Sequence, residues 1–110
     1  MFGFRRKTVN TLTPQEVQER LAAGTITLVD VREPAEWADG RIPGAVHVPL
    51  SAFAERARTI PEGKPVVFYC LSGGRSGRAL ALCKDLGLAH DTHMAGGISA
   101  WRAQGLPVTR

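Results

Sequence analysis

Val66-Val67-Phe68-Tyr69 is an apolar run of strand length that ends on Cys70, and a glycine-containing loop, Leu71-Ser72-Gly73-Gly74-Arg75, leads from it into a helical pattern beginning at Ser76. In that pattern Ala79, Leu82, Cys83 and Leu86 recur at three- and four-residue steps, with Arg78, Lys84 and Asp85 around them and Gly87 as the stop. A run with no polar alternation is a strand buried on both faces. Strand, loop and helix together therefore read as one unit of a parallel sheet.

The alternation recurs along the chain. Thr13-Pro14-Gln15-Glu16 is a helix start, with Thr13 as cap, Pro14 at the first helical position and Glu16 able to bond back to the cap amide. Val17 and Leu21 share a face, and Gly24 ends the helix. Ile26 to Val31 reads as a strand closed by Arg32-Glu33-Pro34, Pro34 to Asp39 as a short helix, and Gly40 to Gly44 as a turn. Ala45 to Leu50 reads as another short strand, with Ser51 capping a modest helix through Arg58. Pro61 to Pro65 is a loop, Thr92 to Ala95 the last strand, and Ile98 to Gln104 a closing helix that carries Trp101. The fold class expected is α/β, a parallel sheet with helices on both faces.

With 110 residues the chain fits one domain, so any active site must be built by a single fold, and a separate cofactor domain has no room. No cofactor is expected. The formal charge is +4, but Arg5, Arg6 and Lys7 supply three of those charges in the first seven positions. The remainder has no basic stripe interleaved with aromatics, so nucleic-acid binding is not expected. Residues 1–7 are read as a flexible basic tail and residues 8–110 as the domain. No apolar stretch approaches the roughly 20 residues that span a bilayer, and a long apolar leader is lacking, so a cytoplasmic location is the expectation. Cys70 and Cys83 make no disulfide framework, and a thiol in a special setting is then better read as reactive.

Cys70 has that setting. It stands at the carboxyl end of a buried parallel strand, where ligands of open α/β sheets bind. Gly73 and Gly74 can take the positive φ values that curl a loop until its amides point inward and hold an anion. Those amides, the positive end of the following helix and the Arg75 guanidinium all favour thiolate over thiol. A thiolate at the floor of such a nest can attack an anionic sulfur donor without a separate base.

Cys70-Leu71-Ser72-Gly73-Gly74-Arg75-Ser76 resembles the active-site loop of the rhodanese family. Leu28 to Glu33 resembles the family's early strand motif, Glu36-Trp37 with Gly40 to Ala45 its second signature, and Gly96 to Trp101 its carboxyl-terminal motif. The resemblance implies a five-stranded parallel sheet of rhodanese-like fold. It implies a sulfurtransferase that moves a sulfane sulfur from a donor such as thiosulfate to a thiol or cyanide acceptor through a Cys70 persulfide, a thioredoxin-like protein being one thiol source. The amides of Leu71, Ser72, Gly73, Gly74, Arg75 and Ser76 would cradle the donor, with Arg75 on its anionic end. Leu71 stands where thiosulfate-using members are often basic, which points to an apolar or protein-bound donor. Arg41 stands where His is common, a difference assigned to packing.

Plainer readings cover the other candidates. Cys83 lies on the apolar helix face and is read as core. Asp30, Arg32 and Glu33 follow a strand end, where Asp30 can accept loop amides and an Arg32 ion pair can pin turns. His47, His90 and His93 are too scattered for a metal site, and Trp37 and Trp101 are read as core or cover. Two other functions compete with sulfur transfer. Cysteine phosphatases and arsenate reductases share this loop architecture, but the phosphatases place five residues between Cys and Arg where this chain has four. A non-catalytic interaction module would be expected to lack the nucleophile, whereas Cys70, Arg75 and both glycines are present.

Overall fold

The computed structural model describes residues 10–110; the expected tail at residues 1–7 lies outside them. Five parallel strands form one sheet in the order β1-β5-β4-β2-β3. The strands are β1 (Asn10–Leu12), β2 (Thr27–Asp30), β3 (Val46–His47), β4 (Val66–Tyr69) and β5 (Thr92–Met94). The α-helices are α1 (Pro14–Ala22), α2 (Pro34–Asp39), α3 (Phe53–Arg56), α4 (Gly74–Asp85) and α5 (Gly97–Ala103).

The two-residue period of the strands sorts the core into two layers. Val66, Phe68 and Cys70 face one side with Val29 and Val31, packed against Phe53, Ala57, Ala79, Leu80 and Cys83 from α3, α4 and the turn between them. Val67 and Tyr69 face the other side with Leu28 and Met94, packed against Val17, Ile98 and Trp101 from α1 and α5. All four residues of β4 are buried, as its apolar run requires. Cys70 continues the period one residue past β4 and so emerges under the amino end of α4.

Most elements lie where the sequence places them, and α1 has the full capping box between Thr13 and Glu16. Four corrections are instructive. β1 has no strand signal in its local pattern: among the described residues its three residues pair with β5 alone, at the sheet edge. The strand expected over Ala45 to Leu50 is reduced to Val46–His47, because Pro49 offers no N–H and Leu50 opens a 3₁₀ turn. Ser51 caps no helix; its hydroxyl and amide bond the Glu33 carboxylate, and the segment breaks into a short α3 between 3₁₀ turns, Leu50–Ala52 and Ala57–Thr59. The helix expected from Ser76 begins two residues earlier, so Gly74 is its first residue and only Gly73 of the loop pair has positive φ, at 122°.

Asp30 and Arg32 form a buried pair at the end of β2, as read from their positions. The Asp30 carboxylate accepts the Arg32 amide at 2.8 Å and its guanidinium at 2.7 Å, and the guanidinium also donates to the Gly40 carbonyl at 2.6 Å. This pins the connection around α2, whose Glu36 reaches Arg75 in the first turn of α4.

Candidate active site

Gly73 turns the chain so that its amide points back at Cys70, with N to Sγ at 3.0 Å. The turn also starts α4, and the first amides of a helix have no intrahelical partner. Ser76, in that first turn, directs its amide at the Cys70 sulfur and places its hydroxyl oxygen 3.6 Å from it. Burial pushes the Cys70 thiol up, but the Ser76 amide and hydroxyl and the amides of Gly73 and Ser72 outweigh burial and hold it below its ordinary value. Cys83 has no such ring. It is buried in the core under α4, and burial pushes its thiol up to about 11. One cysteine is prepared to ionise and the other is not.

The loop is braced from behind. Ile98 and Ser99, in the first turn of α5, donate their amides to the carbonyls of Cys70 and Leu71 at 2.9 and 3.0 Å. At the rim, Arg75 makes a two-pronged pair with Glu36 of α2, at 2.7 and 2.9 Å. The Arg75 guanidinium holds the Glu36 carboxyl well below the usual carboxylate range, at about 2. Leu71, the residue after Cys70, is the exposed large apolar side chain among the described residues. On the inner side, the Ser76 hydroxyl oxygen lies 2.8 Å from Nδ1 of His93 on β5.

The family model for the rhodanese-like domain matches residues 13–104. The chain belongs to the rhodanese-like domain family. Among curated relatives, a sulfurtransferase of Allochromatium vinosum is 40% identical over 101 residues, covering 91% of this chain and 94% of that protein. The thiosulfate:glutathione sulfurtransferase of Saccharomyces cerevisiae is 33% identical over 93 residues, covering 73% of this chain and 67% of that protein. A crystal structure of a rhodanese-related protein from Thermoplasma volcanium superposes with a TM-score of 0.80 at 29% identity, covering 91% of this chain and 97% of that one. Some curated relatives are longer; the chain spans 56% of one and 26% of another. Relatives named as sulfurtransferases support a rhodanese-type enzyme.

In this rhodanese-like domain Cys70 and the six residues after it lie between the end of β4 and the first turn of α4. Leu71, Ser72 and Gly73 form the loop, Gly74, Arg75 and Ser76 open α4, and the amides of Ser72, Gly73 and Ser76 act on the sulfur. The Arg75 side chain is engaged by Glu36, and its positive charge interacts favourably with an ionised Cys70. Arg41 packs as expected: its guanidinium lies 4.7 Å from the Trp37 ring, which stacks on His47 at 4.6 Å. Among the described residues no group of three His, Cys, Asp or Glu side chains could hold a metal. None of their helices is long and apolar enough to cross a membrane. Glu36 and His93 are the side chains that sequence reasoning passed over. Glu36 carried a signal, because it lay within a recognised motif. His93 carried none, since only the β4–β5 register, which pairs it with Phe68, brings it to Ser76.

Proposed function

We propose that this domain carries sulfane sulfur on Cys70, taking it from an anionic donor such as thiosulfate and passing it to cyanide or a thiol. The observation that carries this reading is the buried Cys70 sulfur held by amides at the amino end of α4. In the first step the Cys70 thiolate attacks the outer sulfur of the donor, forming a new S–S bond. With thiosulfate, the old S–S bond breaks and sulfite leaves with its electron pair. In the second step cyanide, or an acceptor thiolate attacking the protonated persulfide, bonds to the outer sulfur, and Cys70 departs as thiolate. The same amides serve the attacking thiolate, the persulfide anion and the thiolate that leaves. The exposed Leu71, next to Cys70 in the chain, suits a donor or acceptor with an apolar or protein surface.

Intact-mass measurement after incubation with thiosulfate tests the reading. One added sulfur atom is expected, mapped to Cys70 and not Cys83, and removed by cyanide or a thiol. No adduct from any of a panel of sulfane donors would place the domain among non-catalytic modules, and Cys70-dependent hydrolysis of an aryl phosphate would make it a phosphatase.

Glu36 sets the strength of Arg75 toward the donor, since a guanidinium already held by a carboxylate offers less charge to another anion. Glu36→Gln is therefore expected to lower the apparent KM for thiosulfate roughly two- to fivefold, the scale of a partly exposed pair, with little change in kcat. Arg75→Ala should raise that KM instead. The Glu36 carboxyl is depressed to about 2, so the pair's contribution to stability is complete above the ordinary carboxylate range and fades only as pH falls toward that value. Thiosulfate KM measured from pH 5 to 9 should accordingly show no step owed to Glu36, and an unchanged KM in Glu36→Gln would remove it from donor binding.

A further inference from the structure

Ser76 is fully buried and its hydroxyl has one proton for three neighbouring acceptors: the Cys70 sulfur at 3.6 Å, the Gly73 carbonyl at 3.2 Å and His93 Nδ1 at 2.8 Å. The shortest of these contacts decides where the proton goes. If Nδ1 is bare, it accepts the hydroxyl proton and the oxygen turns its lone pairs to the sulfur, which disfavours a thiolate. If Nδ1 carries hydrogen, it donates to the hydroxyl oxygen and the Ser76 proton is released for another acceptor. The Gly73 carbonyl already accepts the Gly77 amide at 3.1 Å, and an anionic sulfur is the stronger acceptor.

We propose that His93 is a positioning residue for sulfur transfer, its Nδ1–H fixing the Ser76 hydroxyl as a donor to the Cys70 sulfur. His93 reaches this position because β5 pairs it with Phe68, two residues before Cys70 on the same side of the sheet. Burial pushes the imidazole below its ordinary pKa, so near neutrality the ring is neutral and its tautomer, not its charge, carries the effect. The thiolate selects the Nδ1–H tautomer and that tautomer in turn favours the thiolate. The same hydroxyl meets the thiolate that departs when the acceptor takes the sulfur. Arg75, the charged neighbour of the sulfur from α4, is common to every variant below.

The pH dependence of Cys70 alkylation by iodoacetamide, mapped by peptide mass, reads the thiol directly. In His93→Leu the thiol pKa should rise by about one unit, a roughly tenfold fall in thiolate at a fixed pH below it. His93→Asn, whose amide can donate from nearly the same place, should restore most of that loss. Ser76→Ala should raise the pKa by itself, and adding His93→Leu to it should change nothing further, because the histidine acts through the serine. An unchanged thiol in His93→Leu, an equal rise in the Ser76→Ala background, or no restoration by Asn in variants folded by circular dichroism would overturn the assignment. The inference rests on Cys70 as the sulfur carrier, yet alkylation needs no sulfur donor. Its failure and a failure to form the persulfide are therefore separate results.

Discussion

Cys70→Ser should lower sulfur-transfer turnover by about a thousandfold or more, the order lost when a nucleophile is removed from a site that depends on it. The amides of Ser76, Gly73 and Ser72 favour an anionic sulfur, and a serine hydroxyl does not ionise near neutral pH, so the ring has nothing to stabilise. A base could rescue serine, but the amides of Ser72, Gly73 and Ser76 and the Ser76 hydroxyl take up no proton at that pH, and the His93 imidazole meets position 70 only through that hydroxyl. The fold should tolerate the change at a cost of about 1 kcal/mol, since a serine oxygen can still accept the Gly73 amide. Cys83→Ala is the matched control, removing a core thiol that burial keeps protonated, and should leave turnover intact in the folded protein. Steady-state assays with thiosulfate and cyanide decide the matter. Turnover in folded Cys70→Ser above a tenth of the unsubstituted protein's would rule out Cys70 as carrier.

The contrast between these two cysteines was legible in the sequence because each is defined by its near neighbours. Cys70 follows an apolar run and precedes a glycine loop; Cys83 sits at helical spacing among apolar residues. Local chemistry likewise foretold the α1 capping box, the helix at Pro34 and the buried β4, where a few adjacent residues decide the outcome. Legibility failed where the partner is distant in the chain. Asn10 to Leu12 form a strand only because β5 is there to pair with, and their composition does not announce it. Ser51 looks like a cap until Glu33, 18 residues away, takes its hydroxyl. Arg75 looks like a free donor clamp until α2 presents Glu36 to it, 39 residues away. Likewise His93 is an ordinary strand histidine until the parallel register sets it against Ser76. The proposed nucleophile and the amides around it are local features of this chain, whereas Glu36 and His93 reach the site only through the fold.

That division predicts a large effect from a residue remote in sequence from Cys70. Gly97→Ala should destabilise the fold by about 3 to 5 kcal/mol, combining the strain of a left-handed alanine with overpacking against rigid backbone. Gly97 has φ of +58°, and a Cβ there would overlap the Cys70 carbonyl oxygen and the Leu71 carbonyl group. Those are main-chain atoms of the loop itself, so they cannot swing aside as a side-chain tip would. Relief would come by moving the start of α5 away, at the expense of the bonds from Ile98 and Ser99 that brace Cys70 and Leu71. The sulfur would then lose its fixed place among the amides, and turnover should fall on the order of a hundredfold even where the variant remains folded. Gly44→Ala separates the two causes: Gly44 has φ of +88° but nothing within 4 Å of the added carbon, so it incurs the strain without the overlap. Its cost should be about 1 to 2 kcal/mol with normal turnover. Urea unfolding of the two variants, together with Cys70 alkylation rates, compares them directly. If Gly97→Ala unfolds no earlier than Gly44→Ala and its thiol reacts at the original rate, the first turn of α5 is not what holds the loop in shape.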